Sequence, residues 1–354
     1  MGNYRQCLRA MQGQRNRVFL WSCYNDNFKE IYWHNDDKIL QLYCSYLSVF
    51  SIVNIMRRKG STLSSGARIA ITTPKNHIMN IRFTKMHGLG NDFMVIDAVR
   101  QKIDLSPAQI AALAQRDTGI GFDQCLLIEK SHQEGIDFFY RIFNADGNEV
   151  GQCGNGARCL ARFVHYYGLS TKQTLHVATN TTLMQLHINK DNSVTVDMGK
   201  PKLQPADIPL LTKKQDVLYS LPIANDNPCS IHAISVGNPH AVIVVPDITT
   251  ASVNVLGKKI SEHPLFPEQT NTGFMQIINP NHILLRVYER GCGETRACGS
   301  GAVAAAAIGR LYHQLIEHVT VSLPGGDLLV SWPALDGAIC LTGPATFVYE
   351  GELI

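Results

Sequence analysis

The sequence predicts an α+β protein of two pseudo-symmetric, strand-rich lobes, each wrapped around one central helix, with its active site in the cleft between them. Three observations lead there. Short runs that alternate like strands dominate the chain after Met79, with few helical stretches among them. Two Cys-Gly-X-Gly-Ala runs, Cys153–Ala157 and Cys298–Ala302, each introduce an apolar helical segment that ends in tyrosine. The turns His87–Asp92 and Gly237–His240 lie at similar offsets upstream of those runs, each after a strand, so the chain repeats its plan.

In chain order, residues 1–78 stand apart. They hold two of the three Trp residues and 11 Lys/Arg against 4 Asp/Glu, and have little periodicity before Gly60-Ser61-Thr62. We read them as a poorly ordered extension or as sequence upstream of the real start. From Met79, Asn80–Met86 alternates as a strand before a glycine turn. Ser106-Pro107 opens a helix over 108–115, with Ser as N-cap and Pro in the first turn. Phe138–Phe143 and Leu175–Ile188 read as strands, and a helix starts near Asn155 and runs to Gly168. Asp197–Pro201 reads as the crossing between halves. In the second half Ile231–Val236, Ala241–Val245 and Ile283–Tyr288 read as strands, and the Gly-rich run Glu289–Gly301 leads into an Ala-rich helix ending near Leu311. The expected domains are a lobe over 79–197, joined by a returning C-terminal strand at 344–354, and a second lobe over 198–343.

Composition narrows the function. At 354 residues with 45% hydrophobic and 17% charged residues, the chain can bury a sizeable core. Beyond residue 78 it holds 21 Lys/Arg against 25 Asp/Glu, which gives no electrostatic reason to expect nucleic acid. Ile39–Ile55 is uncharged and precedes a basic run, but it is short and carries Gln41, Asn54, serines and tyrosines, which argues against a membrane span. The ten cysteines are irregularly spaced and lack zinc-type C-x2-C pairs, so a reduced, cytoplasmic protein is expected. Cys7, Cys23, Cys44, Cys125, Cys229 and Cys340 read as packing residues.

Cys153 and Cys298 read differently because their frames match. Glycines around a small residue let the chain turn tightly into a helix, whose first amides are unpaired and partly positive. A cysteine there is expected to have its pKa drawn from about 8.5 towards neutrality, and the amides of Gly154/Asn155 and Gly299/Ser300 can hold a carboxylate. One such thiol suggests a nucleophile or redox group. Two related by a repeat suggest a base on one face of a carbon and an acid on the other, titrating as a coupled pair.

Six ordered runs carry a family resemblance: MHGLGNDF at Met86–Phe93, RIFNADG at Arg141–Gly147, CGNGARC at Cys153–Cys159, GNPH at Gly237–His240, VYERG at Val287–Gly291, and GET at Gly293–Thr295 followed by ACGSGA at Ala297–Ala302. In these the chain resembles diaminopimelate epimerase from Met79 to its C-terminus. The resemblance implies interconversion of LL- and meso-2,6-diaminoheptanedioate without pyridoxal cofactor or metal, on the route to lysine and peptidoglycan precursors. By position it implies that Cys153 and Cys298 are catalytic. Gly154, Asn155, Gly299 and Ser300 match amides that grip the carboxylate at the reacting carbon. Asn91, Gln124, Asn144, Asn238 and Asn271 match substrate-contacting amides, and Glu289 and Arg290 match the pair reading the distal end. His240 and Glu289 match positions that tune the thiols, and Tyr349 matches a position at a homodimer interface. Asn and Gln supply donors and acceptors for a substrate with two ammonium and two carboxylate groups, and Arg clamps a carboxylate.

Cys292 departs from the family pattern, which more often has a small non-thiol residue there; a spectator thiol is expected. Two rivals differ in chemistry. A proline or hydroxyproline racemase also uses two cysteines, but the charged pair Glu289-Arg290 argues against its substrate. A redox or metal-binding protein would use Cys153, Cys159, Cys292 and Cys298 together.

Overall fold

The computed structural model describes residues 22–25, 28–35, 38–44, 81–151, 153–223 and 227–353. The chain divides after Met79 into two units. In the first, β1 (Ser22–Asn25), β2 (Phe28–Asn35) and β3 (Lys38–Cys44) form an antiparallel sheet in the order β1-β2-β3. The rest of residues 1–78, on which the expected poorly ordered extension falls, lies outside the described residues. So does the Ile39–Ile55 stretch beyond Cys44. No helix among the described residues is long and apolar enough to cross a membrane.

The second unit begins with β4 (Ile81–Gly88), β5 (Asn91–Asp97), α1 (Pro107–Ala114), β6 (Gln124–Lys130), β7 (Phe138–Asn144), β8 (Glu149–Val150), α2 (Gly154–Tyr166), β9 (Thr174–Ala178), β10 (Leu183–Ile188) and β11 (Val194–Asp197). A 3-10 turn at Pro205–Asp207 precedes β12 (Tyr219–Leu221), β13 (Cys229–Ser235), β14 (Pro239–Val244), α3 (Val253–Ser261), β15 (Asn271–Asn279), β16 (His282–Glu289), β17 (Gly293–Thr295) and α4 (Gly299–Tyr312). The chain closes with β18 (His318–Leu323), β19 (Gly326–Ser331), β20 (Cys340–Gly343) and β21 (Thr346–Leu353).

The pairings repeat element by element. β4 and β5 form a hairpin, β5 runs parallel to β6, β6 antiparallel to β7, and β7 parallel to β9. In the second half β13 and β14 form a hairpin, β14 runs parallel to β15, β15 antiparallel to β16, and β16 parallel to β18. Each parallel step needs a crossover, supplied by α1 or α3 at the first and by α2 or α4 at the second. The returning β21 pairs with β4 as β12 pairs with β13. The equivalent strands β11 and β20 pair with each other and join the lobes, with Val196 opposite Leu341. The two-lobed α+β architecture is therefore built on an internal repeat.

Each lobe buries one helix. Ala157, Leu160, Ala161 and Val164 of α2 pack among Phe93, Leu126, Tyr140 and Ile142. Ala302 to Ile308 of α4 are almost wholly inaccessible and pack on Val287, Val321 and Leu341. Alanine suits α4 twice: it is the best helix former and lets the enclosing strands approach closely. Leu160 is fully buried. Leu160→Ala is expected to cost about 2–5 kcal/mol through lost burial and the cavity left behind, read as a lower denaturation midpoint at unchanged m-value.

Some local expectations needed correction. Leu175–Ile188 is a hairpin rather than one strand. The Thr179 hydroxyl accepts from the amides of Thr181 and Thr182 at 3.2 and 3.1 Å, and such side-chain bonds compete with a strand ladder. Pro239 and His240 belong to β14, which leaves a tighter turn around Gly237 than expected. The helix opened by Ser106 carries a full capping box, Ser106 Oγ accepting from the Gln109 amide while Gln109 Oε1 accepts from the Ser106 amide.

Candidate active site

Both helices begin at a cysteine. Cys153 is extended (φ −151°, ψ 110°), and its Sγ accepts from the Gly156 amide at 3.4 Å. Cys298 is also extended (φ −117°, ψ 109°), and its Sγ accepts from the Gly301 amide at 3.4 Å. Each thiol thus takes the N-cap place that Ser or Asp commonly fills. The glycines are needed for close packing: a Cβ on Gly156 would sit 3.2 Å from Leu126, and one on Gly301 would sit 2.9 Å from Val287. Beside Gly154 there is open space, with no atom within 4 Å of where its Cβ would be.

The two helix starts meet through Asn155. Its Nδ2 donates to the Ala297 carbonyl at 3.2 Å, the residue before Cys298, and to Asn91 Oδ1 at 3.2 Å. Asn91 Oδ1 also accepts from Cys153 Sγ at 3.8 Å, and Asn91 Nδ2 donates to Asp123 at 3.0 Å. Gln124 and Asn144 face each other across β6 and β7 and bond at 2.9 Å, and Gln124 Oε1 is buried without a partner.

A second network surrounds Cys298. Its Sγ lies 3.6 Å from Ser300 Oγ, which accepts from Asn238 Nδ2 at 3.4 Å. Asn238 Oδ1 contacts His240 Nε2 at 3.1 Å, and the parallel register of β14 and β15 sets His240 beside Asn271, with 3.5 Å between Nε2 and Nδ2. Asn271 Oδ1 accepts from the Arg290 amide at 3.0 Å. The Arg290 side chain bonds the Glu268 carbonyl at 2.9 Å, while the Glu289 carboxylate accepts from Thr295 and interacts with Cys298. The two consecutive charged residues therefore face different partners. Tyr349 lies apart from these networks, on β21, exposed and edge-on to Phe83.

Burial reverses the expected thiol electrostatics. Cys153 is pushed up to about 11 by burial, with the Gly156 amide acting downward, Glu289 upward and Arg158 downward. Burial and then the neighbouring Glu289 push Cys298 well above the usual thiol range. The helix amides act in the expected direction, but removal from water outweighs them. Burial also raises Glu289. His240 is lowered to about 3 by burial, with Arg290 acting the same way, so it is neutral at neutral pH. Among the described residues His240 reaches neither thiol by a hydrogen bond.

Asp123, Arg158 and Thr295 were not singled out from the sequence, yet they hold Asn91, Asn155 and Glu289 respectively. Arg158 had a readable sign, a charge one turn from Asn155 set directly among Ala157, Cys159, Leu160 and Ala161. No group of three or more His, Cys, Asp or Glu side chains able to hold a metal occurs among the described residues. Cys292 is exposed.

The sequence profile of the diaminopimelate epimerase family matches residues 83–204 and 232–348. The chain is 66% identical to the diaminopimelate epimerase of Legionella pneumophila subsp. pneumophila strain Philadelphia 1 over 276 residues, which are 78% of this chain and 100% of that protein. The diaminopimelate epimerase of strain Corby matches with the same identity and coverage. Among solved structures, a hydroxyproline epimerase from Agrobacterium vitis superposes with TM-score 0.56 at 13% identity, over 77% of this chain and 92% of that one. A Bacillus anthracis protein of the PhzF phenazine biosynthesis family superposes with TM-score 0.55 at 17% identity, over 78% and 99%. At those identities the structural likeness speaks for the fold alone.

Proposed function

Because the chain belongs to the diaminopimelate epimerase family, we propose that it interconverts LL- and meso-2,6-diaminoheptanedioate, for lysine and peptidoglycan precursors, by proton transfer between two thiols. The observation that carries this reading is the pair of cysteines at the N-caps of two buried helices whose starts are joined by Asn155. One thiolate removes the α-proton from one face, and the opposite thiol delivers its proton to the other. The carbon is inverted, the two sulfurs have exchanged protonation states, and no proton is gained or lost. The reverse reaction uses the same groups in exchanged roles.

The first amides of a helix have no partner within it, so Gly154, Asn155, Gly299 and Ser300 can grip the α-carboxylate where carbanion charge develops. Raised thiol pKa values fit a difficult proton abstraction, since a thiolate formed here is a stronger base than one in water. Glu289 beside Cys298 favours the protonated form of that thiol, which suits an acid. Asn91, Gln124, Asn144, Asn238 and Asn271 surround the substrate, and Arg290 takes its distal carboxylate in place of the Glu268 carbonyl. His240 tunes Cys298 indirectly, through Asn238 and Ser300.

The lobes are bounded at 79–197 with 344–354, and at 198–343. The reaction needs free thiols, which a reducing cytoplasm maintains. A homodimer through β21 is supported by exposed Val348 and Tyr349 and by the adjacent Tyr166. The reading is tested by incubating reduced, metal-stripped protein with LL-diaminopimelate in D2O. Formation of the meso isomer with deuterium at the inverted carbon is expected, and no exchange would overturn it.

A further inference from the structure

Arg158 is the bulkiest of the fully buried side chains among the described residues, and none of their ion pairs includes it. Taking a guanidinium out of water without a carboxylate is costly, and such groups are poor contributors to stability. The surroundings nevertheless make room for it. A Cβ on Gly88 would lie 3.2 Å from Nη2, and one on Gly343 would lie 3.2 Å from Nε. Nη2 donates to Asn155 Oδ1 at 2.8 Å and Nε to the Pro344 carbonyl at 3.2 Å. Nη1 is buried, has no partner, and lies 3.9 Å from where a Cβ of Gly299 would stand, at the start of α4.

We propose that Arg158 is a positioning residue for the proton-transfer pair: its guanidinium clamps Asn155, and through it the starts of both thiol-bearing helices, and it supplies the positive charge beside which the reacting thiolate forms. The inference rests on the two-thiol reading above. The clamp is a chain of bonds. Arg158 holds the Asn155 oxygen, which leaves the Asn155 nitrogen to reach Ala297 on one side and Asn91, the partner of Cys153, on the other.

The charge acts in the same place. Around Cys153, Glu289 opposes ionisation and Arg158 favours it. Cys159, on the same helix, is pushed up to about 12 by burial, and Tyr140 from the facing strand is raised well above its ordinary value, so both are neutral. Arg158 has no carboxylate partner among the described residues, and a carboxylate there would weaken its effect at the sulfur, where Glu289 already acts the other way.

The test uses the full chain as wild type, Arg158→Met and Arg158→Lys, with two readouts. One is the pH dependence of Cys153 alkylation by iodoacetamide, followed by mass spectrometry. The other is kcat and KM for LL-diaminopimelate. For Arg158→Met the alkylation profile is expected to move up by about one pH unit or more, with kcat about 30-fold lower or worse and KM within about threefold. Arg158→Lys keeps the charge without the planar fork, so its alkylation profile stays near wild type while kcat recovers only in part. A folded Arg158→Met protein with wild-type profile and kcat would overturn the proposal. If Arg158→Met does not fold, a wild-type kcat or a displaced alkylation profile in Arg158→Lys would overturn it. Alkylation needs no substrate. A wild-type protein without epimerase activity would therefore count against the two-thiol reading, while the shift in Cys153 reactivity would still report on Arg158.

Discussion

Cys153→Ala and Cys298→Ala are each expected to lower the rate of epimerisation by about 10⁴-fold or more, with little change in KM. Inversion needs an acid and a base at once, so removing either leaves one face of the carbon without a proton carrier. The double variant is expected to be no slower than the worse single variant, because groups that act as a unit are not additive. Both proteins should fold. Each loses a helix cap, worth about 1 kcal/mol, and a small side chain from a helix start that Asn155 and the surrounding strands still hold. Circular dichroism checks the fold, and α-proton exchange with solvent checks the chemistry. Full epimerisation by either variant would remove the two-thiol mechanism.

The second large effect is in pH. kcat/KM reports ionisation in the free enzyme, where Cys153 is held up at about 11 by burial. Below that value the thiolate fraction grows about tenfold per pH unit. From pH 7 to 9, kcat/KM is accordingly expected to climb about 100-fold, with its limit set above pH 9. The sign follows from the base being the deprotonated form and its pKa being raised. An initial-rate series across that range decides the point. A plateau already reached at pH 7.5 would mean that the thiol is ionised before substrate arrives, against the burial described for it.

Local chemistry made much of this readable in advance. Gly-X-Gly after Cys153 and after Cys298 marks strand-to-helix turns, and Ser106-Pro107 marks another, because each depends on backbone geometry within a few residues. The repeat was visible only through those turns, whereas the structure extends it to every strand pairing from β4 to β20. What the sequence concealed is non-local. Asn155 reaches Ala297 and Arg158 reaches Pro344 across 142 and 186 positions, and His240 meets Asn271 through the register of two parallel strands. The direction of the thiol pKa shifts is hidden for the same reason. A helix start can be inferred from glycine spacing, but the burial that outweighs it comes from the rest of the fold. α3 is hard to read from the sequence because Val253–Ser261 places two β-branched valines and Gly257, all weak helix formers, within its first five residues; Gly257 is there to pack against Tyr288.

The most direct measurement is the first-turnover distribution of deuterium when LL-diaminopimelate is converted in D2O. Two thiols on opposite faces are expected to yield a meso product carrying one solvent deuterium at the inverted carbon, while the remaining LL substrate stays unlabelled. If the LL substrate acquires deuterium as fast as product forms, or if the product keeps the substrate's own hydrogen, a single group is removing and returning the proton, and the paired-thiol mechanism is contradicted.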